Sequence, residues 1–111
     1  MFYREEKVFN YTKMSNYHLK DKNLSLKAKG LFSIILSLPD NWKFSNEGLC
    51  SLCKESKTAV DNAIKELKNR GYLKLVRRQN SLGKFYYDYE VYENPRAWLG
   101  NIDLPSMDKH I

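Results

Sequence analysis

Cys50 and Cys53 form a CxxC pair, the spacing at which two thiolates can share a metal ion or cycle through a disulfide. A zinc ribbon needs a second pair of ligands, and the sequence offers only two histidines at distant positions, His18 and His110. A thioredoxin-like motif needs a buried strand before it, and the pattern predicts none there. We therefore interpret both cysteines as ordinary helix residues and expect neither a metal nor a cofactor.

The other polar residues do not form a catalytic group. An enzyme needs a nucleophile with a base, paired carboxylates or a metal site. The two histidines lie outside the well-defined predicted core, and the acidic residues are scattered among lysines at helical spacing. Glu66 and Arg70, four residues apart, are typical of an ordinary pair on a helix surface. We do not expect this protein to be an enzyme.

The charge balance indicates the kind of partner. Nineteen Lys and Arg residues against thirteen Asp and Glu residues leave a net charge of +6, which favours a polyanion. Nucleic acid is the simplest such partner, and an anionic membrane surface is the alternative. No apolar run is as long as a membrane span, and residues 1–6 lack the pattern of a signal peptide. We therefore expect a cytoplasmic protein.

Three serines precede apolar residues at helical spacing and predict the starts of three helices. The predicted helices are residues 26–38 after Ser25, 46–53 after Ser45, and 57–70 after Ser56. Gly71 follows the last of them in the position that favours left-handed geometry. Gly30 lies inside the first helix and suggests the close approach of another backbone. The residues expected to face the core are Ala28, Leu31, Phe32, Ile35, Leu36, Leu49, Leu52, Val60, Ala63, Ile64 and Leu67.

The apolar period changes from helical to two at Tyr72. Residues 72–79 and 85–92 therefore predict two strands, which a turn over residues 80–84 joins into a β-hairpin. Weaker patterns predict an edge strand over residues 7–14, a helical turn capped by Ser15 and a very short strand at Lys43 and Phe44. The predicted divisions are an N-terminal arm or edge strand (1–14), a domain (15–93) and a tail (94–111) in which Trp98 and Leu99 pack on the body.

The order of these elements predicts an α+β fold, a winged helix-turn-helix with a three-helix core and a C-terminal hairpin wing. Two helices joined by a tight turn pack at a steep angle, which lets the second protrude into a DNA major groove. Leu49 and Leu52 are expected to lock the first helix of the pair against the second. Cys50 takes a position where a small side chain allows the helices to approach.

The helix after Ser56 has one face left over once its apolar stripe faces the core. That face contains Thr58, Asn62, Lys65 and Asn69, with Lys57, Asp61 and Lys68 on its flanks. Asn pairs with adenine, Thr contacts a base or a phosphate, and Lys reaches guanine or phosphate. Asp61 either accepts from cytosine or orients a lysine. The alternative interpretation is a solvated helix face.

The hairpin adds a second cationic surface near its tip, with Arg77, Arg78, Asn80 and Lys84 as the candidate contacts. Arg77 and Arg78 are neighbours on a strand and therefore point to opposite faces. One of them grips a phosphate or enters a narrow minor groove. The alternative is an edge strand that carries charge against aggregation. Its tyrosines favour sheet packing over base stacking, because acidic residues share their strand.

The chain resembles winged-helix domains of mobile genetic elements in low-GC Gram-positive bacteria, including the N-terminal domains of phage and plasmid replication proteins (replisome organisers). The resemblance covers about residues 9–93 and rests on KDKNLSLKAKGLFSIILSLPDNW and FSNEGLCSLCKESKTAVDNAIKELKNRGYL, followed by the hairpin. It implies double-stranded DNA binding by the helix after Ser56 and by the wing. Replication proteins continue into a second domain where this sequence stops, which favours a stand-alone accessory DNA binder in replication, transcription or conjugative transfer.

Two classes of function therefore compete. The first is a plasmid or phage protein that recognises an origin or operator in duplex DNA through the helix, the wing or both. The second is a protein-interaction module built on the same scaffold without DNA binding. A monomer of this size covers about 600–1,000 Å² of DNA, so high specificity calls for a homodimer on repeated half-sites. Replication or relaxosome proteins are the further candidate partners.

Overall fold

The computed structural model describes residues 10–95. Four helices precede a two-stranded antiparallel hairpin. The elements are α1 (Tyr17–Lys20), α2 (Leu26–Leu36), α3 (Asn46–Ser51), α4 (Lys57–Asn69), β1 (Leu73–Gln79) and β2 (Phe85–Val91). The three longer helices and the hairpin occupy the positions that the sequence predicts.

Serine caps begin α2, α3 and α4, as predicted. The Ser25, Ser45 and Ser56 backbones are extended, which leaves each hydroxyl free to satisfy a donor in the first helical turn. The three hydroxyls accept hydrogen bonds from the backbone N–H groups of Ala28 (3.1 Å), Gly48 (2.9 Å) and Ala59 (3.2 Å). α2 ends at Leu36, two residues earlier than predicted, where Ser37 caps it and donates to the Ile34 carbonyl.

The core lies between α2, α3 and α4 and extends to the start of the hairpin. Its buried hydrophobic residues are Leu24, Ala28, Leu31, Phe32, Ile35, Leu49, Val60, Ala63, Ile64, Leu67, Tyr72 and Leu73. Leu36 packs against this cluster from its edge. The prediction that Leu52 faces inward is wrong. α3 ends at Ser51, so Leu52 is the C-cap residue and its side chain is 46% exposed.

The hairpin follows α4 directly. Gly71 has a φ of +84°, the left-handed geometry predicted for it, and turns the chain from helix into strand. The strands pair with Leu73 opposite Val91, Leu75 opposite Tyr89 and Arg77 opposite Tyr87. The predicted winged helix-turn-helix is therefore confirmed: three packed helices, of which α3 and α4 form the helix-turn-helix, and a C-terminal hairpin wing.

Three of the weaker predictions need correction. Lys43 and Phe44 are not in a strand, and the sheet contains only β1 and β2 within residues 10–95. Phe44 contacts the hairpin through its side chain instead, with its ring edge-on to Trp42 and Tyr89. Residues 10–14 form no strand, and residues 7–9 lie outside the described part. The α1 N-cap is Asn16, although the Ser15 hydroxyl does accept from the Tyr17 N–H. The predicted packing of Trp98 and Leu99 on the body concerns residues outside the described part, and so does the prediction for His110.

The prediction of a close backbone at Gly30 is also wrong. A Cβ atom added at Gly30 would meet nothing within 4 Å. A Cβ added at Gly48 in α3, by contrast, would lie 2.9 Å from the Ser45 hydroxyl oxygen and 3.1 Å from the Trp42 ring. The glycine that permits a close approach is therefore the one in α3.

Tyr72 joins the helices to the wing through a buried polar contact. Its hydroxyl donates to Asp21 Oδ2 over 2.7 Å, and both side chains are fully buried. Burial raises the pKa of Tyr72 far above its ordinary value, and the bond to Asp21 raises it further, so the phenol is a neutral donor. The Tyr72 ring also packs against Phe32 and Tyr17.

His18 is the other buried polar residue of this region. Its Nε2 lies 2.9 Å from the Ser33 hydroxyl, and its ring packs edge-on against Phe32. Burial lowers the pKa of His18, partly offset by Glu93, while Lys29 lowers it further. The side chain is therefore a packing residue between α1 and α2, and the prediction that His18 lies outside the core is wrong, because the residue is fully buried against Phe32.

We expect Tyr72→Phe to lower the free energy of unfolding by about 1–3 kcal/mol, because it removes the donor to the buried Asp21 Oδ2 and leaves Oδ1 its bond from the Asn23 N–H. Urea unfolding followed by circular dichroism measures the change. Tyr86→Phe, the same substitution at an exposed position of β2, is the control and should change stability by less than about 0.5 kcal/mol. Equal effects at both positions would contradict the role given to the Tyr72 hydroxyl.

We expect Gly30→Ala to raise the free energy of unfolding by about 0.5–1 kcal/mol, because alanine favours the helix and its methyl group meets no atom. Gly48→Ala is the matched change in α3. It should lower stability, since the new methyl group displaces either the capping hydroxyl of Ser45 or the Trp42 ring. Thermal unfolding of the two variants side by side gives the signs, and a stabilised Gly48→Ala would contradict this account of α3.

Candidate nucleic-acid interface

α3 and α4 form a helix-turn-helix with a short connection over residues 52–56. The backbone of this turn tightens as soon as α3 ends, with hydrogen bonds from Leu52 N–H to the Leu49 carbonyl and from Cys53 N–H to the Cys50 carbonyl. Cys50 is partly buried and packs against the core beside Leu49, in agreement with the small residue predicted there. α4 is thereby held across α3 with one long face outside.

The exposed face of α4 is the one predicted from the helical period. Val60, Ala63, Ile64 and Leu67 are buried along the opposite side. The exposed residues are Lys57, Thr58, Asn62, Lys65, Lys68 and Asn69. This face presents amides, a hydroxyl and ammonium groups, which are the donors and acceptors that base edges and phosphates can pair with.

The acidic residues of α4 make contacts within the protein. Asp61 accepts from the Asn46 side chain over 3.0 Å and forms an ion pair with Lys57 at 3.3 Å. Glu66 accepts from both the backbone N–H and the hydroxyl of Ser25, over 2.8 and 2.6 Å. Of the two roles predicted for Asp61, the structure supports the orientation of a lysine. Glu66 clamps the start of α2, a role beyond the surface pairing predicted for it.

The two faces of the wing differ in charge. We call the front face the side that carries Leu73, Leu75, Arg77, Gln79, Phe85, Tyr87, Tyr89 and Val91, and the back face the side that carries Lys74, Val76, Arg78, Tyr86, Asp88 and Glu90. Arg77 is the single charged residue of the front face. The back face has two cations and two carboxylates. Arg77 and Arg78 lie on opposite faces, as predicted.

The two arginines have different partners. The Arg77 guanidinium stacks on the Phe85 ring, with Cζ 4.2 Å from the ring centroid. Arg78 is held by carboxylates on the back face, with Nη2 3.4 Å from Glu90 and Nε 3.8 Å from Asp88. Arg78 is therefore electrostatically matched within the wing, whereas no carboxylate among residues 10–95 forms an ion pair with Arg77.

Asn80 shapes the tip of the wing. Its side-chain oxygen accepts from the backbone N–H groups of both Leu82 and Lys84, over 2.9 and 3.0 Å. Gly83 completes the turn with a φ of +80°. Lys84 is exposed beside it. Asn80, predicted as a contact residue, thus has its side-chain oxygen engaged in the turn.

The front face turns toward α4 at the base of the wing. Tyr89 and Val91 pack against the core, and the Tyr89 ring meets Phe44 edge-on at 5.9 Å. Burial raises the pKa of Tyr89, and the nearby Asp61 carboxylate of α4 raises it further. The front face therefore continues outward from the flank of α4. The predicted packing of tyrosines in the sheet holds for Tyr89, but Tyr87 is 66% exposed.

Of the two cysteines predicted to be helix residues, Cys50 lies in α3, whereas Cys53 lies in the connection that follows it because the helix ends at Ser51. Both cysteines are free thiols, and burial, followed by Glu55 and Cys50, raises the pKa of Cys53, which keeps that thiol protonated. Within residues 10–95, no group of three His, Cys, Asp or Glu side chains could hold a metal ion. In the same part of the chain, no helix has both the length and the apolar character needed to cross a bilayer.

The family comparison agrees with this geometry. Residues 22–73 match the model of a family described as a helix-turn-helix domain. The match begins before α2 and ends at the first residue of β1, so it contains the three packed helices and both halves of the motif. The match therefore agrees with the helix-turn-helix that α3 and α4 form, a motif that in DNA-binding proteins places its second helix in the major groove. No curated protein and no solved structure matches the chain.

We predict that Lys65→Ala weakens duplex binding and reduces the slope of log K against log salt concentration by about 1, because one phosphate contact is lost. Fluorescence anisotropy at several salt concentrations gives both quantities. Lys27→Ala is the matched control. Lys27 is an exposed lysine of α2 that lies beside Ala59 and Ala63, away from the exposed face of α4, so its loss should leave the slope unchanged. An unchanged slope for Lys65→Ala would argue against contact of this α4 face with phosphate.

Proposed function

We propose that this protein binds double-stranded DNA, with the exposed face of α4 in the major groove and the wing beside it. The observation that carries the proposal is the set of polar groups that the exposed face leaves for a partner. Asp61 and Glu66 are engaged by Asn46, Lys57 and Ser25, while Lys65 and the two amides of Asn62 and Asn69 face outward. An ammonium group beside two amides suits phosphates and base edges.

In this mode each contact residue has a separate part. Asn62 and Thr58 lie at the centre of the exposed face and read base edges. Lys57 and Lys65 contact phosphates, and Lys57 keeps its orientation through Asp61. Arg77, Asn80 and Lys84 contact DNA from the wing, whereas Arg78 serves mainly to hold the back face together.

The biological role that we propose is that of an accessory factor of a plasmid or phage, which recognises an origin or operator in replication, conjugative transfer or transcription. Support for this role comes from the resemblance of residues 9–93 to winged-helix domains of mobile elements. One monomer offers a small contact area, so we propose a homodimer on repeated half-sites, with replication or relaxosome proteins as further partners. Selection of bound fragments from the parent replicon, followed by footprinting, separates the three roles.

Duplex binding itself is tested by retention on random-sequence DNA at low salt. We expect log K to fall linearly with log salt concentration, with a slope proportional to the number of phosphates contacted. The same strand in single-stranded form is the control and should bind more weakly, because it has no major groove to receive α4. No retention of duplex at low salt, in a protein that shows native circular dichroism, would favour a protein-interaction module instead.

A further inference from the structure

A groove of about 400 Å³ lies between α2 and α4 and opens at the protein surface. Leu26, Gly30 and Ile34 line it from α2, and Ala59 and Ala63 line it from α4, so that most of its surface is hydrocarbon. Leu26 stands at its rim and is 86% exposed. A concave apolar surface with an exposed leucine beside it is typical of a contact site for another chain. We call it the α2–α4 groove.

Gly30 lies in the middle of α2, on the side that lines the α2–α4 groove. A glycine inside a helix destabilises it relative to alanine. No part of the same domain uses the missing side chain, because a Cβ atom added at Gly30 would meet nothing within 4 Å. The glycine does leave the backbone of α2 open at the centre of the groove, where a helix of another molecule can approach closely.

The α2–α4 groove is lined by two charged residues, which have opposite signs and lie at opposite ends. Lys27 is in the first turn of α2, and Glu55 is in the connection just before α4. Because Glu66 bonds to Ser25, the start of α2 lies beside the last part of α4, roughly 15 Å along that helix from Glu55. Within residues 10–95, neither Lys27 nor Glu55 forms an ion pair.

A second copy of the chain fits this pattern, because a two-fold axis brings each end of the groove against the other end of its partner. With the axis near Gly30, the two α2 helices run antiparallel, and Leu26 of one copy meets Ile34 of the other. Lys27 of each copy then lies at the end that holds Glu55 of its partner. A peptide with charge of one sign would match one end of the groove and oppose the other.

We propose that two copies of this chain form a two-fold symmetric dimer through the α2–α4 groove, with Gly30 at the axis and Lys27 facing Glu55 across the interface. The inference rests on the proposed function for its use on DNA, since it supplies the contact within the homodimer on repeated half-sites. Asn62 and Lys65 do not line the groove, so the dimer does not use the surface that we assign to the duplex.

Charge exchange tests the pairing across the interface. Sedimentation without DNA, from about 1 µM to about 1 mM protein, measures the dissociation constant of the dimer. Lys27→Glu and Glu55→Lys should each weaken the dimer about tenfold, because each replaces two opposite-charge contacts with two like-charge contacts. The double variant keeps the net charge and should return to within about threefold of wild type. Lys27→Ala adds no repulsion and should weaken the dimer by about threefold or less.

Lys43→Glu is the matched control for the single charge reversals. Lys43 is exposed and lies beside Asn80 and Tyr86 of the wing, outside the α2–α4 groove. The substitution changes the net charge as much as Lys27→Glu does, and it should leave the dissociation constant within about twofold of wild type.

Gly30→Gln tests the close approach at the axis. Glutamine favours a helix more than glycine does, and its Cβ meets no atom of its own chain, so the variant should remain folded. In the dimer two such side chains would meet at the axis, and association should weaken by about thirtyfold or more. Circular dichroism melting at about 1 µM, where the monomer predominates, checks the fold of each variant.

The outcomes separate this inference from the proposed function. A wild-type protein that stays monomeric at about 1 mM overturns the inference and assigns the groove to a different partner. A dimer that Gly30→Gln leaves intact uses another surface, and a double charge variant that stays as weak as the single variants contradicts the two-fold pairing. Either result overturns the inference alone. A dimer that shows every expected change but binds no duplex at low salt would overturn the proposed function and leave the interface established.

Discussion

The position of the wing relative to α4 depends on Tyr72. Its backbone and side chain form hydrogen bonds with three separate parts of the chain. Its N–H donates to the Leu67 carbonyl at the end of α4, and its carbonyl accepts from the Tyr92 N–H just after β2. Its hydroxyl donates to the buried Asp21 between α1 and α2. Gly71 makes this junction possible, because its left-handed backbone lets the chain turn back so that Tyr72 lies under the end of α4.

Fixing the junction has a consequence for binding. A hairpin attached at one point would lose considerable freedom when it met a partner, and that cost would reduce affinity. Here the base of the wing is held by Tyr72 and by the Phe44–Tyr89 ring contact, while Asn80 ties the tip into a single turn. α4 and the wing therefore form one fixed surface, and in the proposed DNA binding the spacing between their contacts is set before the duplex binds.

The second constraint is the disposal of negative charge. A surface for phosphate has to be free of carboxylates, yet the sequence places Asp61 and Glu66 in α4, and Asp88 and Glu90 in β2. These carboxylates make contacts within the protein. Asp61 accepts from Asn46 of α3 and Glu66 from Ser25 at the start of α2, while Asp88 and Glu90 pair with Arg78. The placement of the charges therefore matters more than the net charge of the whole chain.

Local signals in the sequence were sufficient to predict much of this arrangement. The serine caps, the apolar stripe of α4 and Gly71 each depend on residues within one or two turns, so their pattern predicted the helices, the helix-turn-helix and the exposed face that includes Asn62 and Lys65. The stop of α3 at Ser51 and the exposed Leu52 were missed, because a short helix has too few residues for its period to define an end.

Contacts between distant residues could not be predicted in the same way. Glu66 and Ser25 are 41 positions apart, and no spacing rule connects a glutamate on one helix with the cap of another. The adjacent arginines show the same limit. Strand alternation predicted that they face opposite sides, but only the register of the two strands puts Asp88 and Glu90 beside Arg78 and Phe85 beside Arg77.

That register is itself a consequence of packing at the base of the wing. A shift of one residue between β1 and β2 would move Tyr89 and Val91 from the core side to solvent and would cost the burial of both. The same shift would exchange the partners of the two arginines and would bring Asp88 and Glu90 onto the front face. The hydrophobic requirement at the base thus determines the electrostatic character of the exposed end, some four residues further along each strand, which is why one arginine is left without a carboxylate.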